Sequence, residues 1–332
     1  PEDSPGNAPK ISVLIPARNE ANNLPILLEE LINQSYSNFE ILIYDDHSED
    51  DTASIVQLFE KRDSRIKLVE RKSLPKGWLG KNFACHNLGL QANGDYLLFL
   101  DADVKVSRNL LKKSLAYIQK KNLSLLSIFP TQKMITRGEW LTVPLMNWIL
   151  LSLLPLILVR KSKNPAFSAA NGQFMFFEAQ SYRQHRWHEQ VRNNRVEDIV
   201  INRKMKKLRY KTATLLGNRD VSCRMYQSFK EGVNGFSKNV IEFFGGSAFM
   251  SIIFVIFIFG GILVLFSGNL FLFVIYLFVI LLIRIFESIA SRQSAQKNIL
   301  YHIPQMVTLF YIVFKGLMVK WTGKYTWKGR AA

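Results

Sequence analysis

Two apolar runs, Ser247 to Phe266 and Leu270 to Ile283, are joined only by the tripeptide SGN. Nothing else in the chain limits its fold as strongly. A helix needs roughly 20 apolar residues to cross a bilayer. The first run has that length, and the second reaches it if it continues through Arg284 toward Ile289. The pair therefore reads as a hairpin in a membrane. A third run, IPQMVTLFYIVFKGLMV, carries Pro304 and Lys315. If it crossed as well, the basic end KWTGKYTWKGR would land opposite Arg284, Arg292 and Lys297, against the bias of basic residues toward one side. An interfacial third helix is the expectation.

Upstream of Val240 charged and apolar residues mix as in a domain that folds in water, and strand and helix patterns alternate. ISVLIPA (Ile11 to Ala17) is a buried-strand run, and the next segment places Leu24, Leu27, Leu28, Leu31 and Ile32 on one helical stripe. FEILIYDD, RIKLVER and DYLLFLDAD read as further strands, with helices over DDTASIVQLFEKR and GKNFACHNLGLQA between them. This rhythm belongs to an α/β fold built on a mainly parallel sheet covered on both faces. A further apolar stretch, Trp140 to Val159, has spanning length. A single crossing there would separate the acids on either side of it, so a helix pair broken at Pro144 and Pro155 and lying at the interface is expected. The expected organisation is a flexible leader over residues 1–9, a catalytic domain over 10–239 with apolar interfacial helices near 140–159, membrane helices over 240–320 and a basic tail over 321–332.

The formal net charge is +17, and such a field attracts nucleic acid, anionic lipid or an anionic substrate. Much of the charge lies between Arg183 and Lys211, in segments such as INRKMKKLRYK just ahead of the apolar tail. Basic residues flanking membrane segments match a cytoplasmic, anionic lipid surface. No nucleic-acid motif accompanies them, so no nucleic-acid partner is expected. The two cysteines, Cys85 and Cys223, have no metal-site or disulfide spacing, as suits a reducing compartment.

In sheets of this kind ligands bind outside the carboxyl ends of the strands. The first strand ends in PARNE, the second in DDHS and the fourth in DAD. If Asp101 and Asp103 lie on a strand, they share one face and can converge on a hard cation that shares phosphate oxygens; a solvated turn is the alternative. Asp46 and its neighbours suit the hydrogen-bonding groups of a base and ribose, or else an N-cap for the following helix. His185 and His188 in QHRWH are three apart. With no third ligand nearby they read as surface residues.

The order ISVLIPARNE, ILIYDDHSEDDT, GWLGKNFACHNLGLQANGDYLLFLDAD, NGQFMFF and VEDIVINRKMKKLRYK resembles the family 2 glycosyltransferases. The resemblance runs over residues 10–239. It implies the GT-A nucleotide-diphospho-sugar transferase fold, here with a C-terminal α-helical membrane segment, and inverting transfer from a nucleotide sugar. The tail, together with PKGWLGKNFA and MYQSFKEGVNGFSKN, is most similar to the branch acting on carotenoid, hopanoid or other polyprenyl-type lipid acceptors. Carried over, the resemblance implies that Pro16, Ala17, Arg18 and Glu20 line the nucleotide pocket, that Asp46 meets uracil and that Lys81 approaches the diphosphate. It implies Asp101 at the ribose or metal and Asp103 on Mg2+ or Mn2+. Gly172 would open the acceptor loop, and Asp198 would be the general base, with Glu197 beside it able to raise its pKa. The same acid pair could merely complement a helix start. QHRWH departs from the Gln-x-x-Arg-Trp signature of processive synthases, which favours single-sugar transfer. The expected partners are a UDP-sugar, a lipid-like acceptor and an anionic membrane surface, with the catalytic domain on the cytoplasmic side of a multi-pass cell-membrane protein. The alternatives are transfer to a polyprenyl phosphate and a catalytically silent nucleotide-binding scaffold.

Overall fold

A computed structural model describes residues 8–260, 268–322, 326–327 and 330–331. Its elements run β1 (Ile11–Ala17), α1 (Leu24–Ile32), β2 (Phe39–Asp45), α2 (Thr52–Arg62), β3 (Ile66–Val69), α3 (Gly80–Gln91), β4 (Tyr96–Leu100), β5 (Val104–Val106), α4 (Leu110–Lys121), β6 (Leu125–Phe129) and β7 (Thr131–Gln132). They continue with α5 (Arg137–Thr142), α6 (Pro144–Leu153), α7 (Ile157–Lys161), β8 (Phe174–Glu178), α8 (Ala179–His185), α9 (Trp187–Gln190), α10 (Glu197–Lys207), β9 (Thr212–Leu216), β10 (Val221–Cys223), α11 (Phe229–Phe243) and α12 (Ala248–Gly260). Two long helices follow, Leu270–Ser291 and His302–Thr322, with the short Ala295–Leu300 helix between them. The chain forms two compact units, residues 1–131 with 155–223, and residues 132–154 with 224–332.

The first unit is built on a seven-stranded sheet in the order β3-β2-β1-β4-β8-β6-β9. The strands from β3 to β4 run parallel, and β6 and β9 run parallel to each other. β8 alone is antiparallel to both its neighbours, pairing Leu100 with Phe174 and Leu126 with Phe176. Its apolar residues are fully buried, as expected of a strand covered on both faces. The direction of β8 matters for chemistry: it brings the start of that strand to the carboxyl end of β4, where a parallel strand would have placed its finish.

Every buried residue of α1 (Leu24, Leu27, Leu28 and Leu31) falls on the predicted stripe, and Pro25 sits in the first turn, where its missing N–H costs nothing. One apolar cluster packed against the sheet gathers Leu14, Leu42, Leu97, Phe177, Trp187, Ile201 and their neighbours.

In the second unit α11 packs against the His302–Thr322 helix at Gly316, where an added Cβ would lie 2.8 Å from Val240 Cγ1 and 2.9 Å from the Ser237 carbonyl. α11 and α12 meet at 107°. The helices over the 140–159 stretch break at both prolines, α6 starting on Pro144 and ending before Pro155. The Gln305 side-chain amide donates to the Trp140 carbonyl at 2.7 Å. Arg284, fully buried, lies 4.0 Å from the Trp148 ring centroid and pairs with Glu287 at 3.0 Å. The Leu270–Ser291 and His302–Thr322 helices are both long and apolar enough to cross a membrane. The end of the Ser247 to Phe266 run lies outside the described residues.

Candidate active site

The site grows from strand ends of the first unit. β1 closes on Ala17, and the backbone then turns through Asn19 in the left-handed region, with φ 52°. β2 closes on Asp45, and His47 takes φ 56°. The two turns interlock. Asn19 N–H donates to Ser48 Oγ at 2.9 Å, and Glu49 N–H donates to Asn19 Oδ1 at 2.8 Å. Arg18 is buried and its Nη1 donates to the carbonyls of Asp46 (2.7 Å) and His47 (3.1 Å). Arg18 thus fixes the loop that carries Asp46. Pro16 and Ala17 sit in register with Tyr44 and Asp45 at the same rim, and Glu20 accepts from Asn23 Nδ2 at 2.8 Å. The Asp46 carboxylate lies against the start of α3. A side chain at Gly80 would run into Asp46 Oδ2, so any larger residue here would displace that carboxylate.

Beside Gly80, Lys81 joins two parts of the site. Its Nζ lies 2.9 Å from Asp101 and 3.4 Å from Glu197. Burial works against its charge, but the Asp101 and Glu197 carboxylates hold its pKa well above the usual lysine value. β4 ends at Leu100, so Asp101 and Asp103 fall in the turn before β5 and not on the strand. The alternation rule does not apply there, and the two carboxylates take different partners. Asp101 turns to Lys81, whereas Asp103 accepts from Gln173 Nε2 at 3.2 and 3.3 Å and from Cys223 Sγ at 3.5 Å. Burial, with the Asp101 and Glu20 charges, pushes the Asp103 carboxyl up to about 6.

The other flank is α10, which begins at Glu197. Asp198 Oδ2 accepts the Gly172 N–H at 2.8 Å and Oδ1 accepts the Ile199 N–H at 2.7 Å. Burial and the adjacent Glu197 charge push the Asp198 carboxyl up to about 7, against the opposing pull of the Ile199 N–H, Lys81 and the Gly172 N–H. Gly172 is at the centre of this cluster: an added Cβ would lie 2.9 Å from Glu197 Oε1 and 3.2 Å from Lys81 Nζ. The segment before it is pinned, since Asn202, one turn along α10 from Asp198, donates to the Ala169 carbonyl at 2.8 Å and Asn171 N–H donates to Ser127 Oγ at 2.8 Å.

Lys81, Asp101, Gly172, Glu197 and Asp198 are thus in one contact group, with Asp103 reached through Gln173 and Asp46 through Gly80. No local pattern marks Gln173 or Cys223 as site residues; Gln173 is visible only as part of NGQFMFF. His188 departs from the surface reading. It is buried, bonded through Nδ1 to the Tyr182 hydroxyl at 2.7 Å and packed 4.5 Å from the Phe99 ring. Burial lowers its pKa to about 3, so it is a neutral core residue. His185 stacks on Trp187 with centroids 4.4 Å apart.

Among the described residues no three of His, Cys, Asp and Glu converge as a metal cage. A divalent ion that keeps waters and phosphate oxygens needs only one or two protein carboxylates. Asp103 fits that requirement: it is buried beside Asp101 and Glu20 with no basic side chain of its own among the described residues, whereas Asp101 is already paired with Lys81.

The glycosyl transferase family 2 profile matches residues 12–186, and the chain belongs to that family. A 4,4'-diaponeurosporenoate glycosyltransferase of Staphylococcus haemolyticus is 27% identical over 233 residues, 69% of this chain and 60% of the relative. A GalNAc(5)-diNAcBac-PP-undecaprenol beta-1,3-glucosyltransferase of Campylobacter jejuni is 38% identical over 96 residues, 29% of this chain and 30% of the relative. The matched stretches thus span less than two thirds of either relative. In fold the chain is similar to a mannosyltransferase of Pyrobaculum calidifontis solved with GDP-Man and Mn2+, at a TM-score of 0.56 and 14% identity over 95% of this chain and 89% of that one. The fold is GT-A.

Proposed function

We propose that the protein transfers a single sugar, with inversion, from a nucleotide sugar to a lipid-like acceptor at a membrane, and that a UDP-sugar is the donor. The observation that carries this reading is the placing of a buried carboxylate of raised pKa, Asp198, in one cluster with Lys81, Asp101 and the Gly172 turn. Asp46, on the loop fixed by Arg18, would read the base, and Pro16, Ala17 and Glu20 would complete that rim. Asp103, with Asp101 nearby, would hold Mg2+ or Mn2+, whose charge offsets that of the departing diphosphate. Lys81 is kept protonated by Asp101 and Glu197 and adds a fixed cation where negative charge develops. Asp198 takes the proton of the acceptor hydroxyl as that oxygen attacks the anomeric carbon from the face opposite the diphosphate. Glu197 supports it by keeping the Asp198 carboxyl basic, and Gly172 leaves the space through which the acceptor reaches it.

The acceptor class is supported by the names of the two relatives, both of which describe lipid substrates, and by the apolar helices of the second unit. Residues 240–320 are read as the membrane segment, with the catalytic unit on the cytoplasmic side. The test is a screen of UDP- and GDP-sugars against native lipid extract, with Mn2+ or Mg2+, read by mass spectrometry. A glycosylated lipid from a UDP-sugar is the expected product. Binding of UDP without product from any donor would instead identify a silent scaffold.

A further inference from the structure

The metal carboxylate and the base carboxylate are gripped by two consecutive residues. Gly172 donates its N–H to Asp198, and Gln173 donates its side-chain amide to both oxygens of Asp103. Gln173 is buried, at 6% exposure, and its position is set from three sides. Its carbonyl accepts the Asp101 N–H at 3.2 Å, its own N–H donates to Asn171 Oδ1 at 2.9 Å, and its Nε2 lies 3.0 Å from Cys223 Sγ. The antiparallel sense of β8 makes this possible, because its first residues abut the turn after β4.

We infer that Gln173 is a positioning residue that holds the Asp103 carboxylate in the orientation in which it binds a divalent cation. Among the described residues Asp103 has no basic partner of its own. Apart from the weak Cys223 thiol donor, the Gln173 amide is the hydrogen-bond donor the structure gives it. An amide NH2 stabilises the ionised carboxylate and fixes its plane without competing for the cation, because it carries no charge. Partners of this kind orient metal ligands, and their loss typically weakens metal affinity by about 10–100-fold. The inference rests on the reading of Asp103 as the metal ligand.

The test is Mn2+ binding to the full chain in detergent with UDP present, followed from the free Mn2+ signal by electron paramagnetic resonance. Wild type, Asp103→Asn and Gln173→Met are compared; methionine keeps the length of glutamine and removes the donor. The expected result is near-complete loss of binding in D103N and about a tenfold or greater weakening in Q173M, with kcat of Q173M recovering as Mn2+ is raised. A Q173M protein that binds Mn2+ like wild type, beside a D103N protein that does not, overturns the role of Gln173 alone. Mn2+ binding unchanged in D103N overturns the metal assignment and the inference with it. Should Q173M fail to fold, wild-type protein labelled with 15N at glutamine side chains decides the matter. A nitrogen coupling to bound Mn2+ is expected, and its absence is contrary.

Discussion

At the residue scale, the central feature is a carboxylate kept basic by its surroundings. Burial and Glu197 raise Asp198 to about 7, so on the proposed reading it is protonated below that pH and cannot take the proton of the acceptor. Turnover should rise with pH through about 7 and level off above it, which a kcat profile from pH 5.5 to 8.5 will show. Gly172→Ala should lower kcat more than it raises the donor KM, because the new methyl group crowds Glu197 and Lys81 and leaves the Asp46 rim untouched. Gly80→Ala should do the reverse, since it displaces Asp46; steady-state kinetics with varied donor separate the two. The identities of these residues were visible in the sequence, but several of their contacts were not. The spacing of Asp101 and Asp103 suggested a shared face, a rule that holds only on a strand, and β4 stops one residue short of Asp101. The bond from Gln173 to Asp103 spans 70 residues, and no local pattern records a contact so distant in the chain.

At the element scale, the repeating strands and helices were legible because apolar periodicity reports which face of each element is buried. α1, β1 and α3 lie where that pattern put them, and the α/β class follows from their order; the GT-A fold was implied only by the family resemblance. The direction of β8 was not legible: its run of aromatic residues states that both faces are covered and nothing about which way the strand runs. The proline breaks around α6 were legible, since proline removes a helix donor and clashes with the preceding turn. Close helix contact has its own signature in Gly316. Gly316→Val should force α11 and the His302–Thr322 helix apart and destabilise the second unit by about 1–3 kcal/mol. Gly260→Ala, where an added Cβ meets nothing within 4 Å among the described residues, should leave the melting temperature in detergent almost unchanged.

At the scale of the whole molecule, the chain combines a unit organised around strand-end acids with a unit of apolar helices. On the proposed reading the second unit keeps the enzyme where a lipid acceptor resides, and the protein should remain in the membrane pellet after an alkaline carbonate wash and enter solution only with detergent. The claim on which the account turns is that Asp198 removes a proton from an acceptor bound beside the donor site. Measuring both donor affinity and transfer rate for Asp198→Asn in lipid nanodiscs tests it most directly. The predicted result is UDP-sugar binding within about twofold of wild type and transfer slowed by about 10²–10⁴-fold. Transfer at close to the wild-type rate, with the donor still bound, would contradict it and point to an acceptor that arrives already ionised.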